Sequence, residues 1–390
     1  MIIFKEIINS NREYILNKKI NKNHKIILEK LVYHINNEKI VIISWIKNVW
    51  KTQLISDFIT KTKLNDKFFY FNKDLDSENN INDNFILENL FNVYINLYKN
   101  TKIIILQNIS QINWIKDFIS KLYKNNYKII IIWNDIKIPN ITEIEVKNNI
   151  SENIENDLLY WNLWKSYYLN DTIFKKEYIS LIIDNIFLHK IINLKLVKNI
   201  FLYNLILTKI SKLNSFISFR ELHREVEKNN NIALKTFMDY IDFTIQEKII
   251  YKIELYDFKK EKSILNKSKY YFSDNWIRNK LNNFKLDKKI LIENLIFIKL
   301  NYNNFNIYAW INWSYEFTFF AKQEKNNIYI NIVFDLKKEN LKKEINKLQK
   351  VPWKANRYLV IDNIEKLNLK KYIYDDIELI SAEELIKKSL

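Results

Sequence analysis

The sequence predicts an α/β protein. A parallel sheet fills the first 150 residues, a mainly helical region follows, and an α+β region ends the chain. Three observations predict this. Short isoleucine-rich runs alternate with helical patterns up to residue 150. From 151 to about 250 the apolar spacing is almost entirely helical. From 285 onward helices and alternating strands mix at hairpin spacing. Near-continuous apolar strands alternating with helices suit a sheet covered on both faces.

The elements follow in order. "EKIVIIS" (38–44) is a buried strand, and "KTQLISDFITK" (51–61) has a helical stripe through Leu54, Ile55, Phe58 and Ile59. "KFFYFNKD" (67–74), "TKIIILQN" (101–108) and "YKIIIIWND" (127–135) are three further strands. "NWIKDFISKLYK" (113–124) between the last two is a helix with paired apolar positions. Residues 151–200 read as a helical connector in which His189 is structural. In 201–275, "LYNLILTKISKL", "SFRELHREVE" capped at Ser218, and "ALKTFMDYIDFTIQEKII" are three helices leading into the strands "IYKIEL" and "KYYFSD". In 276–390, an apolar helix at 288–302 precedes strands near 306, 315 and 327. An amphipathic helix at 337–350 and a strand at 357–362 follow. "SAEELIKK" opens with a capping box, Ser381 with Glu384.

Composition adds a constraint. The 390 residues include no glycine and only 2 prolines. At an average usage of about 7%, roughly 27 glycines are expected. Several turn types need φ > 0, where glycine is the default. Abundant isoleucine, lysine and asparagine indicate an A/T-rich gene. We read the ten tryptophans as a map of glycine positions, as arises when UGA codons that a lineage decodes as glycine are translated as tryptophan. The alternative is that all ten are real and pack in cores. The net charge of +17 favours a polyanion such as DNA as partner, although lysine-rich codon bias gives the same sign. There is no cysteine, and the four histidines lack ligand spacing, so thiolate sites and a histidine metal cluster are not expected. No apolar run approaches a membrane span, and the charged N-terminal stretch has no signal-peptide core. A cytoplasmic protein is expected, with no membrane partner; its oligomeric state is open.

The chemistry centres on "WIKNVWKT", residues 45–52. With glycine at Trp45 and Trp50 it reads G-x-x-x-x-G-K-T between a strand and a helix, the phosphate-binding loop of P-loop NTPases. Such a loop converges backbone N–H groups on phosphates, and a Cβ there obstructs them. Trp45, Ile46, Lys47, Asn48, Val49 and Trp50 would form the cradle. Lys51 would reach the β- and γ-phosphates of ATP, and Thr52 would ligate Mg²⁺.

On these residues the chain resembles prokaryotic AAA/STAND-like P-loop ATPases of the archaeal-ATPase type. The segment "LQNISQINW" (106–114) is similar to that family's D-E-I-Q-x-x-x-x-W, with Trp114 on the family tryptophan. "IIIIWND" places Trp133 on a family glycine and Asn134 on the polar position that senses the γ-phosphate. "YWNLWKSYYL" places Trp161 and Trp164 on glycine-like positions, and "YYFSDNWIRNKL" places Trp276 on another. Trp310, Trp313 and Trp353 stand in turn-like contexts. If these are glycines, the backbone at Trp45, Trp50 and Trp276 should be loop-like. The resemblance puts the Walker B pair at Gln107 and Asn108, neither of which is charged, so it implies ATP binding with weak or no hydrolysis. Asp74 could substitute, or it is simply a solvated loop acid.

The resemblance also implies a winged helix at 201–275, whose third helix, with Lys235 and the flanking Arg220 and Arg224, either enters a DNA groove or belongs to a module that only packs between domains, and a restriction-endonuclease-like module at 276–390. Such a nuclease needs metal-binding carboxylates on adjacent strands. Glu293 and Glu316 match acidic positions, while Thr318 and Asn331 replace expected ones, so the nuclease centre reads as degraded. The alternative function is a nucleic-acid-binding protein whose nucleotide site is vestigial.

Overall fold

A computed structural model of the chain describes residues 2–17, 25–44, 51–64, 67–75, 81–109, 112–132, 142–145, 158, 171–187, 197–228, 230–257, 262–312, 315–324, 326–351, 355–362, 373–374 and 376–388. The chain divides into two compact units, residues 1–146 and 147–390.

The first unit opens with two helices, α1 (Ile2–Leu16) and α2 (Lys25–Asn37). Then come β1 (Ile40–Ser44), α3 (Lys51–Lys61), β2 (Phe68–Asn72), α4 (Asn84–Leu97) and β3 (Ile103–Gln107). The unit ends with α5 (Ile115–Lys124), β4 (Lys128–Ile132) and β5 (Thr142–Glu145). The sheet order is β2-β3-β4-β1-β5, and every pairing is parallel. Phe69, Phe71, Ile104, Leu106, Ile129 and Ile131 pack on one face against α4 and α5, through Leu87, Leu90, Phe91, Phe118 and Leu122. Each such side chain contributes about 1.5–3 kcal/mol on burial. Because all strands run the same way, their carboxyl ends share one edge. Asn72 lies opposite Gln107 there, and Gln107 opposite Ile132.

The second unit begins, among the described elements, with α6 (Thr172–Phe187), inside the stretch expected as a connector. Next come α7 (Ile200–Lys212), α8 (Phe219–Glu227), α9 (Leu234–Gln246), β6 (Ile250–Asp257) and β7 (Lys262–Phe272). Ser218 and Glu221 form a complete capping box at α8. Ile217 pairs with Ser268 through two backbone hydrogen bonds of 3.0 Å, laying a third strand position beside the hairpin. The chain continues through α10 (Asn275–Leu281), α11 (Lys288–Tyr302), β8 (Asn306–Asn312), β9 (Tyr315–Lys322) and β10 (Asn327–Val333). It closes with α12 (Lys338–Gln349), β11 (Asn356–Ile361), β12 (Ile373–Tyr374), β13 (Ile377–Ser381) and α13 (Ala382–Lys387), the last with the Ser381–Glu384 box.

One eight-stranded mixed sheet runs through this unit in the order β12-β13-β11-β10-β9-β8-β6-β7. The division expected between residues 275 and 276 therefore falls inside a single sheet. The reason is that the end of β6 is shared: Leu255 and Tyr256, both buried, pair with Ile264 and Ser263 of β7 on one edge and with Ala309 and Trp310 of β8 on the other. Helices α11 and α13 cover one face, with Leu295, Ile296, Leu385 and Ile386 against Ile328, Ile330, Tyr358 and Val360. Helix α12 covers the other, with Leu341, Ile345 and Leu348 against Tyr329, Leu359 and Ile361.

A chain without glycine must still turn. Among the described residues with positive φ, six are Asn108, Asn126, Asn283, Asn304, Asp335 and Asp376. Asparagine and aspartate tolerate the left-handed region best among residues with a Cβ. Asn126 and Asn304 take it just beyond the ends of α5 and α11, where glycine usually stands.

Three of the tryptophans read as glycine positions or family residues are informative. Trp276 is helical and 1% exposed, so the loop expected there is not formed. Asp274 starts α10 by accepting from the Trp276 N–H, which makes 276 a first-turn position. Its indole Nε1, and Arg278 Nε and Nη1, are nevertheless buried without hydrogen-bond partners among the described residues. Trp114 departs from expectation in the opposite sense. It is 72% exposed and left-handed, with φ 59°, at the start of α5, a backbone that favours glycine over tryptophan. Trp310 stands where the β8 register shifts, a common glycine context. Trp45, Trp50, Trp133, Trp161, Trp164, Trp313, Trp353 and His189 lie outside the described residues.

Candidate functional site

The candidate site is the carboxyl edge of the parallel sheet, where ligands of open α/β sheets bind. Strand β1 ends at Ser44 and α3 begins at Lys51, the two described elements that bracket residues 45–50 in sequence. Ile46, Lys47, Asn48 and Val49, like the two tryptophans flanking them, are outside the described residues, as is Asn134. Lys51 is the first residue of α3. Thr52 follows it, and its side chain is placed.

Thr52 faces Gln107. The Gln107 amide Nε2 donates to Thr52 Oγ1 at 3.1 Å, and the Thr52 hydroxyl lies 3.5 Å from Gln107 Oε1. These residues are 55 positions apart in sequence; Thr52 lies on α3, the helix that follows β1, and β4 stands between β1 and β3 in the sheet. Gln107 Oε1 also accepts from the Tyr70 hydroxyl at 2.9 Å. Burial pushes the Tyr70 phenol well above its ordinary pKa, so it remains a protonated donor.

Asn108 turns the other way. It sits just past β3 with φ 56°, and its Nδ2 donates to Asp74 Oδ2 at 2.7 Å and to Asn72 Oδ1 at 3.1 Å. Asp74 lies in a single 3₁₀ turn, Lys73–Leu75, directly after β2. Its own N–H donates to Asn72 Oδ1 at 3.2 Å. From α1, Asn11 Oδ1 accepts from the Asn72 N–H at 2.9 Å. The edge is thus a chain of hydroxyl and amide groups ending in one carboxylate, Asp74. Sequence reasoning named Asp74 only as a substitute acid; Asn11, Tyr70 and Asn72 carried no motif.

This edge can offer a hydroxyl and neutral oxygens to a cation and amides to an anion. Gln107, on the strand next to β4 and bonded to Thr52, cannot accept a proton at neutral pH. Among the described residues no group of three histidine, cysteine or acidic side chains could hold a metal ion.

The nuclease-like residues do not come together. Glu293, on α11, accepts at Oε1 from Lys269 Nζ and the Tyr271 hydroxyl, both at 2.5 Å. Asn331 shares the opposite face with Tyr329 and α12, where its Nδ2 donates to Glu344 Oε2 at 3.1 Å. Lys347 closes that group with a 2.5 Å bond to Glu344 Oε1. Thr318 Oγ1 accepts from the Ile332 N–H at 3.0 Å and serves the strand ladder. The Glu316 backbone pairs with Ile311, and its side chain is outside the described residues. The sheet separates Glu293 from Asn331, so these two side chains do not share a metal ion.

Among the described residues no helix is long and apolar enough to cross a membrane. No protein-family model and no curated protein matches the chain. A solved structure of the replication initiator DnaA bound to AMPPCP and single-stranded DNA is similar over 60% of this chain and 92% of that one, at 12% identity and a TM-score of 0.28. Similarity at that level carries no argument about fold or function.

Proposed function

We propose that the first unit binds ATP at the carboxyl edge of its sheet and turns it over slowly. The observation that carries this reading is the Gln107–Thr52 bond. It pairs the first turn of α3 with the end of β3, the two places from which a P-loop site draws its hydroxyl and its acidic residue. Lys51 and the α3 N-terminus would hold the phosphates. A magnesium ion prefers one or two carboxylates with phosphate oxygens and water. This edge offers the Thr52 hydroxyl and, beyond Asn108, Asp74, so Thr52 would be its first protein ligand. Bound Mg²⁺ supplies neutralisation of phosphate charge. The chain's own residues position the phosphates but offer no base where Gln107 stands.

Equilibrium binding of labelled ATP tests the reading in two proteins, the chain as written and its Trp45→Gly/Trp50→Gly form. Measurable affinity is expected in the second. Lys51→Ala in that background should lower affinity roughly 10- to 100-fold, as loss of a charge-assisted phosphate contact of about 1.5–3 kcal/mol implies. Unchanged affinity would place nucleotide elsewhere.

A second reading is nucleic-acid binding with a vestigial nucleotide site. The succession of three helices and a hairpin over 200–272, with the Ile217–Ser268 bridge, is the order of a winged helix, and it favours that reading for the second unit. DNA affinity that falls steeply with salt, without ATP binding by the Trp45→Gly/Trp50→Gly form, would select it.

A further inference from the structure

We propose that the outward face of α12 contacts the phosphate backbone of duplex DNA, and that the outward face of α9 does not. The two helices differ in charge. Lys337, Lys338, Lys342 and Lys343 are all exposed along the start and middle of α12, against one exposed acid, Glu339. Among the described residues none of these four lysines has a carboxylate partner. On α9 the exposed side chains are Leu234, Lys235, Met238, Asp239, Asp242 and Gln246, so two acids outweigh one lysine. A phosphate backbone approaching α9 meets net negative charge.

Placement adds a second argument. Lys337 and Lys338 stand at the N-cap and first position of α12, and no side chain caps this end. The helix dipole disfavours cations there, so helix stability does not explain them; a nearby polyanion would. The inner face holds the helix rigidly. Leu341, Ile345 and Leu348 are buried, and Glu344 is tied to Asn331 and Lys347. At about 1.5 Å per residue the helix is about 18 Å long, comparable with the rise of about five base pairs at about 3.4 Å each along the duplex axis.

The form of DNA follows from the other exposed residues, Asn340, Asn346 and Gln349. None is aromatic, and single strands are held largely by stacking bases on aromatic rings. A rigid cationic face without rings fits a duplex backbone and reads no sequence.

The test uses the full chain as written, without nucleotide, so it is independent of ATP binding. Affinity for two unrelated duplexes is measured from about 50 to 200 mM salt. Three or four neutralised phosphates give a slope of log K against log salt of about −3 to −4. Lys342→Ala with Lys343→Ala should reduce the slope by about 2, equally for both duplexes. Lys342→Arg with Lys343→Arg should retain it, and Lys235→Ala should leave it unchanged. Thermal melts by circular dichroism confirm that the variants fold. The proposal is overturned by no duplex affinity at about 50 mM salt, by an unchanged slope in the double alanine variant, by a slope carried by Lys235, or by tighter binding to single strands.

Discussion

The two units manage buried and half-buried polar groups in different ways. At the edge of the parallel sheet, Thr52, Tyr70, Asn72, Gln107 and Asn108 form a mostly neutral chain open at the strand ends. In the mixed sheet, Glu293 with Lys269 and Glu344 with Lys347 are charged pairs on opposite faces, each also bonded to a neighbouring side chain. Charge makes the second kind expensive to disturb, and complete pairing makes it inert. Neutrality makes the first kind cheap to alter, and its position at the carboxyl ends makes it usable. Residue type alone suggested the reverse, because Glu293 looks more like a catalytic residue than Gln107 does.

The largest effect should come from breaking a charged pair. The Lys269 and Glu293 side chains are each 10% exposed. Glu293→Ala leaves a buried ammonium, and a loss of about 3–5 kcal/mol is expected in urea unfolding. Lys269→Met with Glu293→Leu should cost far less, because no charge is stranded. If the single and double changes cost the same, the pair is not coupled, and the contrast between the units fails at its stronger end.

The neutral edge should respond in rate before it responds in stability. Gln107→Asp with Asn108→Glu, in the Trp45→Gly/Trp50→Gly form, supplies both missing carboxylates. A general base contributes about 10²- to 10⁴-fold, but a carboxylate at 108 would meet Asp74, the present partner of Asn108. Repulsion between them weakens part of the gain. An increase in ATP turnover of at least roughly tenfold, or about 1.4 kcal/mol of barrier, is expected. No increase would mean that β3 does not carry the acidic position of a P-loop site. Gln107→Ala should cost about 0.5–1.5 kcal/mol of stability, since it removes one hydrogen-bond partner of the buried Tyr70 hydroxyl while Asn72 and Thr52 stay within its reach.

The two units were unequally legible. The strands of the first announce themselves as runs such as Ile129–Ile132, all buried, because a sheet covered on both faces needs no alternation. β5, "TEIE", has no such run and shows itself through its pairing with β1. The joining of β6 to β8 was not legible, because it pairs positions more than 50 residues apart through a short parallel contact, Leu255 with Ala309. The Ser381–Glu384 capping box and the Ser218 cap could be read, being local chemistry over four residues, while the Glu221 half of the second box was not named. At the candidate site the sequence singles out Thr52 and Gln107 one by one, but the bond joining them and the turn of Asn108 toward Asp74 were not legible. Side-chain direction at a strand end depends on backbone φ, which asparagine leaves open.

The smallest expected effect is at Trp114 in the first unit, and Trp276 in the second is its contrast. Trp114 is exposed and left-handed; Trp276 is buried and helical. At 114 the left-handed backbone costs a residue with a Cβ about 1–2 kcal/mol. Glycine removes that cost but adds about 0.4–1 kcal/mol of unfolded-chain entropy. The exposed indole offers little burial to lose, and its backbone carbonyl, which accepts from Asn84 Nδ2 at 3.3 Å, is retained. Trp114→Gly should therefore raise stability by about 0.5–1 kcal/mol, the difference between those two terms. Trp276→Gly removes a ring that fills the core, and a cavity of that size costs about 3–5 kcal/mol unless the surroundings collapse. A gain at 114 with a small loss at 276 would mean that both sites accept glycine, the second because its indole N–H has no partner. A loss at 114 would mean that its ring makes contacts worth more than the strain. The codon at 114 then becomes decisive: UGG there would end the reading of that position as glycine, whatever the codons at the other nine.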